Sequence, residues 1–351
     1  MEDNVPGSFL PLNPVVTVIV TCYNRKKYLL SALMSLKNQT IDPDLFEVIL
    51  VKNFKDESIE KFLEDSGFRS INANDGPIGL YMSIGVNEAK GEIIAFLEDD
   101  DLFEKNKVDR LINIFKDRSV VYYHNSHFLI DEDGKKIRGS EVKPPNKLTE
   151  VYINNSLELR KVLKRLGVYG LGSLYFNPSS VAIRKEIIKK ADNFLKTLHY
   201  RPDDFLFYTA LRYSGTSKMI FDLTKLTYYR KHASTSNPGA NITDKLSILK
   251  IYEIGTQHII KMLENCWYLK YAYAQLGILT DEISFLSPTS ENYKLSVKKS
   301  AYNMWLNNEP KIYIILKIII YTLHIKLPKL AAKLKGYQLI EKIMELSKTV
   351  N

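Results

Sequence analysis

The chain has 351 residues, a formal net charge of +9 and a hydrophobic fraction of 45%, which is ordinary for a globular protein. Its two cysteines lie far apart in the sequence, which excludes a disulfide framework and a cysteine-rich metal site. No apolar run reaches the roughly 18 uncharged residues of a membrane-spanning helix, and the acidic start lacks the layout of a signal peptide, so we expect a cytoplasmic protein.

The first hundred residues alternate between two kinds of hydrophobic pattern. Continuous apolar runs predict buried strands, and runs with helical spacing lie between them. Strands are predicted at 15–22, 46–51 and 93–97, and helices at 29–36, 56–68 and 78–89. This alternation is typical of a parallel α/β sheet, in which right-handed crossovers bring the carboxyl ends of the strands to one edge.

The pattern changes from about residue 119. A hairpin is predicted from the apolar run 120–130 and the Asp133-Gly134 turn. A strand at 179–183, a helix at 205–213 and a short last strand at 226–229 follow. The Ser-, Pro- and Gly-rich segment 234–239 predicts a boundary between a domain at 1–236 and a helical region at 237–351.

Four consecutive acids end the third predicted strand, at residues 98–101. Adjacent carboxylates repel one another, and at the end of a buried strand they require cations nearby. Carboxylate oxygens are ligands that suit Mg²⁺ or Mn²⁺, and these ions in turn hold phosphates. The alternative is a solvated acidic turn before the next helix, and the run alone favours neither. For Asp101 we expect the second role, as the N-cap of a following helix.

A second acidic pair, Asp203 and Asp204, directly precedes a predicted helix. Two adjacent carboxylates disfavour full ionisation of both, which raises one pKa towards the range of a general base. Helix capping is the competing interpretation, and it fits Asp203 better than Asp204.

Taken in order, these segments resemble glycosyltransferase family 2. The resemblance spans residues 15–236 and is carried by the segments 18–25, 35–40, 46–51, 89–101, 203–207 and 228–232. It implies the GT-A fold, a nucleotide-sugar-binding α/β domain with a mostly parallel central sheet flanked by helices. Here that domain is followed by a C-terminal α-helical extension.

The resemblance also implies an activity and a set of site residues. The activity is metal-dependent, inverting transfer of a sugar from a nucleotide-diphosphate donor to an acceptor hydroxyl, by a single displacement. Asp204, with Asp203 beside it, corresponds to the catalytic base, and Asp100, Glu98 and His232 correspond to ligands of Mn²⁺ or Mg²⁺. Donor contacts are expected from Thr21, Tyr23, Asn24, Arg25, Lys52, Asn53, Glu98, Asp99 and Arg230.

The chain departs from the family pattern at several of these positions. Lys52 and Asn53 stand where two aspartates are usual, and Glu98 replaces the first aspartate of the Asp-x-Asp motif. An arginine common in the helix before Gly85 is missing. A uridine diphosphate donor stays possible but is not supported by these residues. A catalytically inactive, membrane-associated binding subunit stays open as an alternative. A nucleotidyltransferase is a further alternative, but it would carry a glycine-rich loop after the first strand, and 21–27 contains no glycine.

The last 41 residues are strongly basic, with eight lysines against two glutamates between 311 and 351. The lysines alternate with Ile, Leu and Tyr, which favours an anionic membrane surface over nucleic acid as the partner. The amphipathic pattern of 242–285 fits core or dimer packing as well as membrane binding. We therefore expect a protein that is peripheral at the inner face of the membrane, with a glycan or lipid-linked acceptor and an open question of homo-oligomerisation.

Overall fold

The computed structural model describes residues 14–137, 150–152, 161–163, 166, 171–232, 242–266 and 268–286. The chain divides into two compact units, residues 1–159 with 172–232, and residues 160–171 with 233–351. Every candidate site residue named above belongs to the first unit. The division after residue 236 remains a prediction.

Nine strands in the described part of the chain form one mixed sheet with the order β3-β2-β1-β4-β8-β6-β9-β5, and β7 pairs with β9. The first half, β3-β2-β1-β4, is parallel throughout, as the alternating pattern predicts. Beyond β4 the pairing is mixed, because β8 runs antiparallel to both β4 and β6. The strands are β1 Val16–Cys22, β2 Phe46–Lys52, β3 Arg69–Asn72, β4 Ile93–Glu98, β5 Leu102–Phe103, β6 Val120–Ile130, β7 Glu150–Tyr152, β8 Val181–Arg184 and β9 Lys218–Arg230.

Helices connect the strands of the first unit and pack against the sheet. Numbered over the described residues, they are α1 Leu29–Lys37, α2 Glu57–Ser66, α3 Ile78–Glu88, α4 Lys107–Phe115, α5 Lys185–Lys189, α6 Asp192–Leu195 and α7 Pro202–Tyr213. The ends of α2 follow its sequence: the Asp56 carboxylate accepts from the backbone N–H groups of Ser58 and Ile59, and Gly67 ends the helix at a φ of 68°.

The core of the first unit is built from the β-branched strand residues and one face of α1. Leu29, Leu33 and Leu36 are fully buried against β1, β2 and β4. Burial of such a side chain contributes about 1.5–3 kcal/mol. Gly91 lets the turn before β4 approach β1 closely, since a Cβ there would lie 2.6 Å from the backbone nitrogen of Thr17. This packing fixes the strand ends that carry the candidate site.

The sequence-based interpretation was wrong about Asp101 and about the end of the sheet. Asp101 does not cap a helix: strand β5 follows it, and α4 begins at Lys107 after Asn106. The short strand predicted at 226–229 is the end of β9, which has 13 residues. Strands β3, β5 and β7 were not predicted, because each has only two to four residues and lacks a hydrophobic period of its own.

In the second unit the structure describes two helices, α8 Ile242–Met262 and α9 Leu269–Leu286. They pack on each other through Leu249, Leu279 and Ile283, with Leu246 and Tyr252 at the edge of the cluster. Part of the amphipathic pattern is therefore used for packing within the chain. Among the described residues, no helix is long and apolar enough to cross a bilayer. The basic segment 311–351 lies outside the described residues.

Candidate functional site

The site lies at the carboxyl edge of the parallel half of the sheet. Register pairs Thr21 at the end of β1 with Glu98 at the end of β4, and Cys22 with Lys52 at the end of β2. In open α/β sheets this edge is where ligands bind. The prediction that the strand ends meet there is confirmed.

Three carboxylates of the acid run converge at this edge. One ligand oxygen from each of Glu98, Asp100 and Asp101 lies within 4.8 Å of the others. Asp100 and Asp101 are buried. Burial and the neighbouring charges of Asp100 and Asp101 raise the pKa of Glu98 well above its usual value, and burial with Asp100 raises the pKa of Asp101 to about 7. The cluster is therefore short of positive charge, and its all-oxygen donor set fits a hard divalent cation.

Arg25, in the loop after β1, supplies one cation to the cluster. Its guanidinium donates to both oxygens of Asp99 and lies 2.9 Å from Oδ2 of Asp100. Burial raises the pKa of Asp99, and Arg25 opposes that change. The Arg25 side chain is 40% exposed, whereas that of Asp99 is 4% exposed, so Arg25 covers the acid on its solvent side.

Arg230, at the end of β9, holds the backbone of the site. Its side chain donates to the carbonyl oxygens of Asp100, Asp131 and Glu132, and its backbone N–H donates to Asp101 at 3.0 Å. Arg230 is buried, with a guanidinium 4.5 Å from the centroid of the Tyr28 ring. The role that the structure assigns to Arg230 is to fix the acid run and the 131–134 turn. Its predicted contact with the donor is not tested.

His232 reaches the cluster through Asp100. Its Nε2 lies 2.9 Å from Oδ2 of Asp100, and its ring packs 5.2 Å from that of Tyr28. The side chain is only 4% exposed. The structure thus brings together Glu98 and Asp100, two of the three predicted metal ligands, and adds Asp101. His232 contacts Asp100 but does not belong to the group of ligand atoms that lie within 4.8 Å of one another, so its role as a metal ligand stays a prediction.

The end of β2 holds the two residues that depart from the family pattern. The Lys52 ammonium is fully buried, 2.7 Å from Glu60, and it donates to Asn72 and to the carbonyl of Phe54. These three partners compensate the charge of Lys52 within the protein, and its expected contact with the donor stays a prediction.

Asn53, by contrast, lies at the site edge beside the loop after β1. It accepts from the backbone N–H of Asn24 at 2.9 Å and donates to the side chain of Asp75 at 2.8 Å. Tyr23 projects from the same loop, 48% exposed, with its ring edge-on to Tyr81.

The second acidic pair begins α7. Pro202 is its first residue, and Arg201 before it has a φ of 62°. Asp204 is buried and forms an ion pair with Arg201. Burial, with the charge of Asp203, raises the pKa of Asp204 to about 8. Neither acid is the N-cap itself, because both lie within the first turn.

Asn177 links the two acidic groups. Its backbone N–H bonds to the Asp203 carboxylate, and its side-chain amide donates to Asp101 at 2.5 Å. The charge of Asp203 also raises the pKa of Glu98. Asp203 therefore lies on the side of the pair that faces the acid run.

Sequence reasoning missed four residues that shape the site: Asn177, Ser179, Arg201 and Lys107. Ser179 accepts from the backbone N–H of Glu98 at 3.0 Å, and burial lowers the pKa of Lys107 while Asp101 opposes that change. One signal was available for Arg201, which stands directly before Pro202 and the acids. Asn177 and Ser179 are isolated polar residues far from the acid run in sequence, and only the fold brings them to it. Lys107 lies six positions after Asp101, but its contacts with Ser179 and Thr227 form only in the fold.

Known proteins with similar sequences decide which family this architecture represents. Residues 17–190 match the family model described as glycosyl transferase family 2. The chain belongs to this family. An uncharacterized glycosyltransferase of Rickettsia typhi is 26% identical to this family 2 member over 242 residues, 68% of this chain and 70% of the relative. One of Rickettsia bellii is 31% identical over 125 residues, 34% of this chain and 18% of the relative.

The fold comparison agrees with the family. TarS 1–349 of S. aureus in complex with UDP-GlcNAc superposes with a TM-score of 0.52 at 16% identity, covering 95% of this chain and 92% of that chain. The GT-A fold predicted from the sequence is confirmed. In four curated relatives, including that of R. bellii, the aligned part is only 18% to 36% of the relative's length.

Proposed function

We propose that this chain transfers a sugar from a nucleoside-diphosphate donor to an acceptor hydroxyl. The observation that carries the proposal is the convergence of Glu98, Asp100 and Asp101 within 4.8 Å at the carboxyl edge of the parallel strands. Membership of glycosyltransferase family 2 supports the same reaction class. It also disfavours the nucleotidyltransferase alternative.

The acidic residues fit a resident divalent cation, Mn²⁺ or Mg²⁺. Glu98 and Asp100 would hold it, with Asp101 beside them and His232 orienting the Asp100 carboxylate through a 2.9 Å contact. When bound, the ion would neutralise the charge that develops on the departing diphosphate. Arg25, which already contacts Asp99 and Asp100, would be placed to do the same from the solvent side.

For the proton of the acceptor hydroxyl we propose Asp204 as the general base. Burial raises its pKa to about 8, close to the neutral range in which a base works best, and Arg201 stabilises its ionised form. The charge of Asp203 raises the pKa of Asp204 and also that of Glu98 in the acid run, so it disfavours ionisation of both of these acids. Attack of the acceptor on the face opposite the diphosphate inverts the anomeric centre.

The donor and the acceptor are proposed by chemical class. TarS is a fold relative that binds UDP-GlcNAc and UDP, which makes UDP the first nucleotide to test. Tyr23, Asn24 and Asn53 lie at the edge where a nucleoside would enter, at the ends of β1 and β2. A glycan or lipid-linked acceptor, with membrane association through 311–351, remains a prediction.

The test is a Mn²⁺-dependent assay of UDP-GlcNAc hydrolysis or sugar transfer on three variants. Asp204→Asn and Asp100→Ala should each lower kcat by about 100-fold or more, because general bases and charge-stabilising groups contribute on that scale. Asp65→Asn, at an exposed acid on α2, is the matched control and should retain full activity. Wild-type activity in both site variants would refute the assignment, and no activity in the wild-type chain with any nucleotide sugar would favour the inactive binding subunit.

A further inference from the structure

Lys107, the first residue of α4, is a fully buried lysine near the acid run. Its Nζ donates to the carbonyl oxygen of Ser179 and, at 2.9 Å, to the hydroxyl oxygen of Thr227. It also lies 3.9 Å from the centroid of the Phe103 ring. Three acceptors thus surround a group that has three protons when charged, which is the geometry of an ammonium ion.

The hydroxyl of Thr227 confirms which way these hydrogen bonds run. Its own proton is donated to the Ser179 carbonyl at 3.0 Å, so its oxygen has only lone pairs to offer Lys107. The side-chain amide of Asn125 donates to the same oxygen at 2.9 Å. Lys107, Thr227 and Asn125 therefore form a directed network that ends on the Ser179 carbonyl.

Ser179 carries this network to the acid run. Its hydroxyl oxygen accepts from the backbone N–H of Glu98 at 3.0 Å, and its hydroxyl proton is donated to the Asp101 carboxylate. One buried residue thus contacts both the backbone of Glu98 and the carboxylate of Asp101. Thr227 acts from the other side, since it precedes Arg230 on β9, whose backbone N–H donates to Asp101.

A buried ammonium group is an energetically unfavourable choice for this position. A buried charge destabilises the fold unless it is compensated, and a methionine would fill a similar volume without that cost. Burial lowers the pKa of Lys107 well below its usual value, and Asp101 opposes this change by favouring the charged form.

We propose that Lys107 is a positioning residue for the acidic cluster: through Ser179 and Thr227 it fixes the separation of the Glu98 and Asp101 carboxylates. This inference rests on one part of the proposed function, namely that Glu98, Asp100 and Asp101 bind a divalent cation. Lys107 acts through other residues and has no contact with the donor in this role.

The first test measures Mn²⁺ binding by electron paramagnetic resonance titration of the full chain. Lys107→Met should raise the Kd for Mn²⁺ by about 10- to 100-fold, the usual effect of losing a partner that orients metal ligands. Thr227→Val keeps the lysine but removes one of its hydrogen-bond acceptors, so it should raise the Kd by a smaller factor. Lys105→Met is the matched control, since Lys105 is exposed on the same segment, and its Kd should equal that of the wild type.

The second test measures geometry without metal, by hydrogen exchange at the amides of Glu98 and Arg230. Faster exchange at both amides in Lys107→Met, at denaturant concentrations where the protein stays folded, supports the proposal. Wild-type Kd and wild-type exchange in a folded Lys107→Met would overturn it. If that variant does not fold, Thr227→Val and Ser179→Ala decide by the same two measurements.

The two proposals fail in different ways. If the wild-type chain binds no Mn²⁺, the metal-dependent part of the proposed function is refuted, and the exchange comparison still decides the role of Lys107. If the wild type binds Mn²⁺ and Lys107→Met binds it equally with unchanged exchange, only the role of Lys107 is refuted.

Discussion

At the scale of single residues, the site is a balance of buried negative charge against a few fixed cations. Burial and the repulsion of neighbouring carboxylates raise the pKa of Glu98 and of Asp101; the charge of Arg25 opposes the change at Glu98, and hydrogen bonds oppose it at Asp101. Arg25 contacts Asp99 and Asp100 from solvent, and Arg230 holds the backbone from within. A divalent cation would complete this balance.

Arg25 contacts Asp100, so it would compete with the proposed divalent cation for the charge of that carboxylate. Arg25→Gln should bind Mn²⁺ alone more tightly, by about fivefold, the equivalent of a partly exposed ion pair worth about 1 kcal/mol. Isothermal titration calorimetry measures the change. Lys26→Gln is the control, because Lys26 pairs with Asp56 instead. Equal Mn²⁺ affinity in Arg25→Gln and the wild type would show that Arg25 and the ion do not share a position.

At the scale of elements, the strand ends carry the site and close packing of their connections sets its geometry. The turn into β4 passes over β1 at Gly91, whose N–H donates to the Thr17 hydroxyl at 2.9 Å. A change there should disturb the position of β4 and the acid run at its end.

The prediction at Gly91 concerns stability. Gly91→Ala should lower the free energy of unfolding by about 1–3 kcal/mol, because the new Cβ would lie 2.6 Å from a backbone nitrogen that has little room to move. Gly172→Ala is the comparison, since no atom lies within 4 Å of its added Cβ. Urea denaturation measures both, and an equal effect of the two substitutions would contradict the packing argument.

The sequence predicts the long, periodic elements and the acids that end them, and it does so for physical reasons. β1, β2 and β4 are continuous apolar runs buried on both faces, and the parallel topology follows from their alternation with helices. The Asp101 prediction failed because it considered only local helix capping. The two-residue strand β5, which follows Asp101, forms by pairing with the distant strand β9, and no local pattern indicates it. Asn177 and Lys107 could not be found, since their contacts join residues 76 and 120 positions apart, Asn177 to Asp101 and Lys107 to Thr227.

At the scale of the whole molecule, the buried acids make stability depend on pH. The folded-state pKa of Asp204 is about 8, above its ordinary value of 3.8, so the folded state holds this proton more tightly than the unfolded state. Below about pH 4 both states are protonated, and between about pH 4 and 8 the unfolded state gains by ionising. The contribution of Asp204 therefore destabilises the fold progressively as pH rises through this range.

Asp204→Asn should remove this part of the pH dependence, because the amide stays neutral in both states. Its stability relative to the wild type should increase from pH 4 to pH 8, as measured by urea denaturation at several pH values. Asp65→Asn, at an exposed acid, should run parallel to the wild type. A difference between Asp204→Asn and the wild type that is constant with pH would contradict the raised pKa.

The central claim is that the acidic edge of the sheet binds a nucleoside diphosphate together with a divalent cation. The most direct measurement is a thermal-shift comparison of UDP and other nucleoside diphosphates, with and without Mn²⁺, on the wild type and on Asp100→Ala. We predict a rise in Tm for one nucleotide that requires Mn²⁺ and is lost in Asp100→Ala. A nucleotide-dependent rise that is the same without Mn²⁺ and in Asp100→Ala, or no rise with any nucleotide, would contradict the account.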